Sequence, residues 1–420
     1  MVSQPTLSTR PRAARTAAFG FIFGSALINA ISFGIMIPIL PNLIKQFVGG
    51  DTAAASEWNV LFATVWGVMQ FICGPILGML SDRYGRRPVL LLSISGLFVD
   101  FLFMAFAPTL AWLFLGRVLN GVTASSFSTA NAYVADITAP DDRAKNFGLM
   151  GSAFGFGFVI GPTLGGVLGE VSLRLPFIVA AGLCLINALY GLFILPESLP
   201  PERRTASVDW ARANPLGSLR FLRENARLGG LALVGFLYQL GFTVLPTIFV
   251  LYSGYRYGWT PGILGLTFLA TGISQILVAA FVVGPVVKRI GERGAVLLGL
   301  GAGALALVIY ALATTGWIYM AGVPVFALTG LVNPGVQGLM TRRVGPQHQG
   351  QLQGVSQSFQ GIASMAGPSL FGLTFAWAVR HNASLHQPGL PILVAAALLF
   401  AGFLLSLRVA IPAPAPAAAV

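Results

Sequence analysis

Two charged side chains stand where the sequence surrounds them with apolar residues. Asp100 lies in the run 88–107 and Arg117 in the run 109–136. A charge at the centre of a membrane helix costs roughly 2.5–3.5 kcal/mol on insertion scales, so such residues are functional hypotheses by default. Both lie about eight residues from the same end of their runs, roughly 12 Å deep at 1.5 Å per residue, and an ion pair is within reach. The chemistry open to that pair is proton uptake by Asp100 when substrate or conformation draws Arg117 away. The other reading is a structural pair in which Asp100 stays ionised. Asp136 marks the inner end of the same fourth run.

Such a pair needs apolar helices around it. The chain is 55% hydrophobic and only 9% charged, against about 25% charged in a soluble domain. A membrane span needs about 20 mostly apolar residues. Twelve runs qualify: 17–41, 58–80, 88–107, 109–136, 146–169, 175–195, 228–251, 261–287, 294–314, 317–340, 351–378 and 388–409. The first is too long for the core of a cleaved signal peptide, so it is expected to be a retained span.

The formal charge is +12. Of the Lys and Arg residues, Lys45, Arg174, Arg256 and Arg380 fall on one side, and Arg117 falls inside the membrane. All the others fall on the opposite side. The positive-inside rule makes that side cytoplasmic and puts both termini there. The basic balance is thus a topology signal, and no nucleic-acid partner is expected. Cys73 and Cys184 lie in apolar runs, and His348, His381 and His386 lie in or beside loops. No disulfide framework or metal site is expected from them. No P-loop is present, no cofactor is expected, and the chain does not read as an enzyme.

The expected organisation is a basic N-tail (1–16), a six-helix half (17–195), a cytoplasmic linker (196–227), a second six-helix half (228–409) and a low-complexity tail (410–420). An internal repeat supports it. Gly78, Asp82, Arg83, Gly85 and Arg87 have counterparts 206 residues on, at Gly284, Lys288, Arg289, Gly291 and Arg293. The same offset maps Gly148, Gly155, Gly161, Pro162 and Gly166 onto Gly354, Gly361, Gly367, Pro368 and Gly372. Six spans separate the copies, so the duplication is parallel, about an axis along the membrane normal.

Two motifs carry mechanism. The loop from Gly78 to Pro88 holds Asp82, Arg83, Gly85, Arg86 and Arg87. Gly85 permits a tight turn, and Asp82 suits the positive end of a facing helix, a cytoplasmic latch. The fifth run carries Gly151, Gly155, Gly161, Pro162, Gly165 and Gly166, where missing side chains allow close helix approach.

The first motif resembles the signature of the major facilitator superfamily, and the second that superfamily's antiporter motif. Arg117 with Gly121 resembles a further family motif. More closely, the chain resembles the bacterial tetracycline/proton antiporters and related drug-efflux proteins. That likeness lies in Ile37-Pro38-Ile39-Leu40-Pro41, in Arg86-Arg87-Pro88-Val89-Leu90-Leu91-Leu92-Ser93, in Gly161-Pro162 and in Leu352-Gln353-Gly354. The resemblance implies an all-α membrane protein of twelve transmembrane helices in two pseudo-symmetric six-helix bundles. It implies proton-coupled efflux of a small amphipathic compound by alternating access, with Asp100 and Arg117 as the coupling pair. It implies a monomer in a bacterial cytoplasmic membrane, whose partners are a small-molecule substrate, protons and the lipid bilayer. Asp136 and Arg143 join the loop residues in the implied cytoplasmic gate. The fifth run is the implied seal between the halves. Implied cavity residues are Asn29, Gln70, Asn120, Gln239, Gln275, Asn333, Gln337 and Gln357.

The sequence departs from those relatives in three places. Asn29 stands for an acidic residue, Gln275 for a histidine, and about Gly303 for a second acid. The alternative expectation is therefore an uncoupled facilitator or importer of a neutral polar solute.

Overall fold

The computed structural model describes residues 12–138, 142–205, 226–343 and 349–408. His348, most of the N-tail and linker, and the whole C-tail lie outside the described residues. Among the described residues every regular element is helical and there is no strand.

The first run becomes α1 (Arg12–Met36) and α2 (Leu40–Phe47). They part at residues 37–39, where Pro38 and Pro41 supply no backbone donor. Next come α3 (Thr52–Tyr84) and α4 (Arg86–Phe106). The fourth run is split into α5 (Leu110–Thr123) and α6 (Ser126–Ile137), followed by α7 (Arg143–Val171) and α8 (Leu175–Phe193). In the second half α9 (Ala226–Phe242) and α10 (Val244–Tyr257) share one run. α11 (Pro261–Leu277) passes through a π-turn, Val278–Val282, into α12 (Val283–Leu312). α13 (Gly316–Ala327), α14 (Val332–Thr341), α15 (Gln349–Arg380), the short α16 (Asn382–Leu385) and α17 (Leu390–Arg408) complete the chain.

All twelve apolar runs are thus helical. Among the described residues ten stretches are long and apolar enough to cross a membrane. One of them, Pro261–Leu312, has 52 residues, room for two spans. It bends at Gly291, whose φ is 72°. Gly85, its counterpart in the repeat, has φ 109° and precedes α4. Only glycine takes up such angles freely, so the duplication is visible in backbone conformation as well as in residue type. Phe193, Trp317 and Phe281 point outward, which a lipid solvent tolerates and water does not.

The described residues form two compact units. One gathers those of Met1–Gly50, Val65–Asn214 and Trp259–Leu269; the other those of Asp51–Thr64, Pro215–Gly258 and Ala270–Val420. In the first, α1 lies along α7 and α4 along α8. In the second, α17 packs on both α12 and α9.

Glycines on α7 set the first of these contacts. A Cβ at Gly161 would come 2.6 Å from the Ile31 carbonyl oxygen of α1. One at Gly157 would strike Ala30, and one at Gly165 the backbone of Ile35. Gly166 meets the backbone of Pro261 and Gly265 on α11. Gly151 and Gly155, though part of the same sequence motif, face open space.

Arginines close helix ends in both units, where carbonyls lack intrahelical partners. Arg87 donates to the Leu192 carbonyl at the end of α8. Its repeat counterpart Arg293 donates to the Leu407 carbonyl at the end of α17, at 2.5 Å. Arg174 donates to Ala105 and Ala107 at 2.9 and 2.8 Å, and Arg256 to Ala313 at 3.3 Å.

Candidate functional site

The buried pair forms. Asp100 on α4 is wholly buried and Arg117 on α5 is 4% exposed. Arg117 Nε donates to Asp100 Oδ1 at 3.4 Å, and Nη2 meets Oδ2. Gly116 makes the room: a Cβ there would lie 2.7 Å from Asp100 Oδ1. Gly96 lets α4 approach Thr123 of α5 in the same way. Gly116 has a glycine counterpart 206 residues on, Gly322, whereas Gly96 has Ala302. Two opposite charges held out of water depend on each other, since either one left alone in the apolar interior is strongly unfavourable.

A second charged cluster sits at the other end of α4. Arg86 Nη1 donates to Asp82 Oδ1 at 2.5 Å and to Ser81 Oγ at 3.1 Å. Its Nε donates to Asp136 Oδ2 at 3.1 Å, so Arg86 ties α3 to the C-terminal end of α6. Arg83 lies over the Tyr84 ring. Gly78 is half-buried with free space beside it. Arg143 opens α7, and its side chain lies outside the described residues.

Glu197, which sequence reading left in the linker without a role, completes this cluster. Its carboxylate accepts the backbone N–H groups of Arg86 at 2.8 Å and Arg87 at 3.2 Å. It thereby caps the positive end of α4. Ser198 donates to Asp136 Oδ2 at 3.1 Å, Tyr133 to the Pro196 carbonyl at 2.8 Å, and the Thr205 N–H to the Asp82 carbonyl at 3.1 Å. The start of the linker is therefore part of the loop motif. A Cβ on Gly85 would collide with this carboxylate, a second reason for glycine there. Glu197→Ala should cost about 1–2 kcal/mol and lower the melting temperature in detergent. Glu202→Ala, on an exposed residue of the same segment, should leave that temperature unchanged.

The polar residues expected around a substrate are divided between the units. In the first, Asn120 is buried and accepts a 2.6 Å hydrogen bond from Trp66 Nε1. Asn29 is half-buried, and its Oδ1 is buried with no hydrogen-bond partner among the described residues. Gln70 is exposed on α3. Phe33 contacts both Trp66 and Phe158, with ring centroids 5.9 and 6.1 Å away. α1, α3, α5 and α7 thus share an aromatic wall with amide groups in it. In the second unit, Gln239 and Gln275 are half-buried and Asn333 is exposed. Gln337 donates to Ser356 at 3.1 Å. Gln357 lies on α15, with its side chain outside the described residues.

A family model described as Major Facilitator Superfamily matches residues 22–368. The chain belongs to that superfamily. Among curated proteins, the class C tetracycline resistance protein of Escherichia coli is 40% identical, over 84% of this chain and 89% of its own length. The class G protein of Vibrio anguillarum is 36% identical, over 81% and 86%. Among solved structures, the nucleoside transporter NupG matches with a TM-score of 0.74 at 15% identity, over 93% of this chain and 99% of its own. The human organic anion transporter MFSD10 matches at 0.67 and 23% identity, over 94% and 100%. These two likenesses concern the fold. Membership fixes the fold class as an all-helical, multi-pass membrane protein, in agreement with the twelve helical runs.

Proposed function

We propose that this superfamily member is a secondary-active exporter that exchanges a small amphipathic, tetracycline-like compound for protons by alternating access. The Asp100–Arg117 pair, buried inside the spans, carries this reading. The tetracycline resistance relatives supply the substrate class. In the resting protein Asp100 is ionised and paired. Substrate, or the conformational change it triggers, draws Arg117 off. Asp100 then holds an unpaired charge in a low-dielectric site and takes a proton. The neutral carboxyl permits the return step, and re-pairing with Arg117 expels the proton.

The aromatic wall of Phe33, Trp66 and Phe158, with Asn29 and Asn120, offers apolar area and a few polar groups, as small-molecule sites do. Gln239, Gln275, Asn333, Gln337 and Gln357 are the second half's contribution. Asp82, Arg86 and Asp136 are the cytoplasmic latch, with Arg83, Arg87 and Arg143 fixing its side of the membrane. The protein works as a monomer in a bacterial cytoplasmic membrane with both termini inside.

The test is proton movement. In inverted vesicles acidified inside, adding tetracycline should alkalinise the lumen for the wild type and not for Asp100→Asn. Substrate entry without alkalinisation would favour an uncoupled facilitator. Three positions support that second reading: Asn29, Gln275 and Gly303 carry no ionisable group. At Gly303 a Cβ would come 2.6 Å from the Thr329 methyl and 2.7 Å from a Leu399 methyl, so any larger side chain there would have to displace both.

A further inference from the structure

Where α12 and α17 pack together they leave a groove with a volume of about 440 Å³. Gly301, Ala304 and Val308 line it from α12, and Ala396, Ala397 and Phe400 from α17. Every lining residue is apolar. Helix packing does not require the space. A Cβ on Gly301 would meet only the Phe403 ring, at 3.6 Å. On the other side of the same helix, a Cβ on Gly299 would come 2.7 Å from Val332. Leu305 and Phe400, at the rim, are exposed, so the groove opens outward, where the surrounding solvent of a span is hydrocarbon. The first half lacks it. At the offset of 206 residues, Ala304 and Ala396 correspond to Phe98 and Tyr190.

One end of the groove is basic. Arg408 closes α17 about three turns beyond Ala397, hence on the same stripe of the helix, and it is exposed. Lys288, Arg289 and Arg293 stand at the same end of α12. Glu292, the acid among them, is paired with Arg342 at 2.7 Å. The other end is uncharged: residues 294–341 and 381–407 contain no Asp, Glu, Lys or Arg. In the first half the counterpart of Arg408 is Glu202. The groove runs from Leu393 to Phe403, about 15 Å at 1.5 Å per residue. That is half of the roughly 30 Å hydrocarbon core, the share of one leaflet.

We infer that the groove between α12 and α17 binds one anionic phospholipid, its acyl chain between the two helices and its phosphate at Arg408. The leaflet is the one on the basic side, which the positive-inside rule makes cytoplasmic. A single acyl chain fills space that the protein leaves empty and restores the contacts that a void forfeits. The headgroup meets a surplus of basic side chains, the pattern by which helix pairs select anionic lipids. A second copy of the chain fits less well. A stable protein interface takes about 20–30 residues a side, and nine line this groove. The site is separate from the Asp100–Arg117 pair and does not depend on what is transported.

The test places the full chain in phosphatidylcholine bilayers with a trace of phosphatidylglycerol that carries a photoreactive diazirine on one acyl chain. Crosslinked residues are mapped by mass spectrometry. The comparison surface is α8, where Ile186 and Leu189 are exposed. Labelling of residues 393–403 should exceed that of α8 by about fivefold, the effect of roughly one basic side chain on an anionic lipid. A phosphatidylcholine probe with the same diazirine chain should label the groove at least that much less. Ala397→Trp, at an exposed position, fills the groove and should bring its labelling down to the α8 level. Arg408→Gln should bring it down to the phosphatidylcholine level. Equal labelling of groove and α8 in the wild type overturns the inference, as does equal labelling of the groove by the two lipids. Wild-type labelling in both variants overturns it too. If Ala397→Trp fails to reach the membrane, Arg408→Gln decides by the same criterion. An unlabelled groove in a chain that crosslinks to its own copies would assign the groove to a second copy and overturn the lipid site.

Discussion

Arg117→Ala should be among the most damaging substitutions in the chain. It leaves Asp100, with no solvent exposure, beside an empty volume and without its counter-charge. Removing one partner of a buried ion pair typically costs about 3–5 kcal/mol. The variant should therefore reach the membrane poorly, melt early in detergent and transport nothing. Asp100→Asn is milder for folding, since an amide keeps the shape and can accept from the guanidinium, but it cannot gain and lose a proton. It should be made normally and lack coupled transport. The double variant Asp100→Leu, Arg117→Met separates the two roles. Apolar residues of similar volume often replace a buried ion pair at no loss of stability. Its melting temperature should return towards the wild-type value while transport stays absent. Coupled transport by this double variant would show that the pair is structural.

Gly165→Leu should be comparably severe, for a steric reason. The new Cβ would meet backbone atoms of Ile35 on α1, and backbone cannot rotate aside. Ordinary overpacking costs about 1–3 kcal/mol; parting two helices along their whole contact should exceed that. Gly155→Ala, in open space ten residues earlier, should be tolerated and even add helix propensity of just under about 1 kcal/mol. Membrane yield and melting temperature of the two variants, measured together, check the contrast. Equal behaviour would mean that α1 and α7 are not in the contact described.

The helices were legible because lipid imposes one rule: each span must be apolar and about 20 residues long. That rule says nothing about bends. The parting at 37–39 has Pro38 and Pro41 as a sequence sign, whereas the break after Thr123 has no proline or glycine at it. The ion pair was legible because two charges at equal depth in adjacent spans have few other partners. Gly157 was not, since it stands outside the glycine spacing of the fifth-run motif and its repeat counterpart is Ala363. Glu197 was missed because a carboxylate in a charged linker looks solvated. Its role depends on the chain folding back so that it meets the exposed N–H groups of α4. Arg86 and Asp136 were legible singly.

The central claim is that transport is coupled to protons through Asp100. Tetracycline accumulation in cells expressing wild type or Asp100→Asn, with and without a protonophore, tests it most directly. The account predicts low accumulation only in wild-type cells with an intact proton gradient. Equal accumulation in all four conditions, at matched membrane expression, would contradict it.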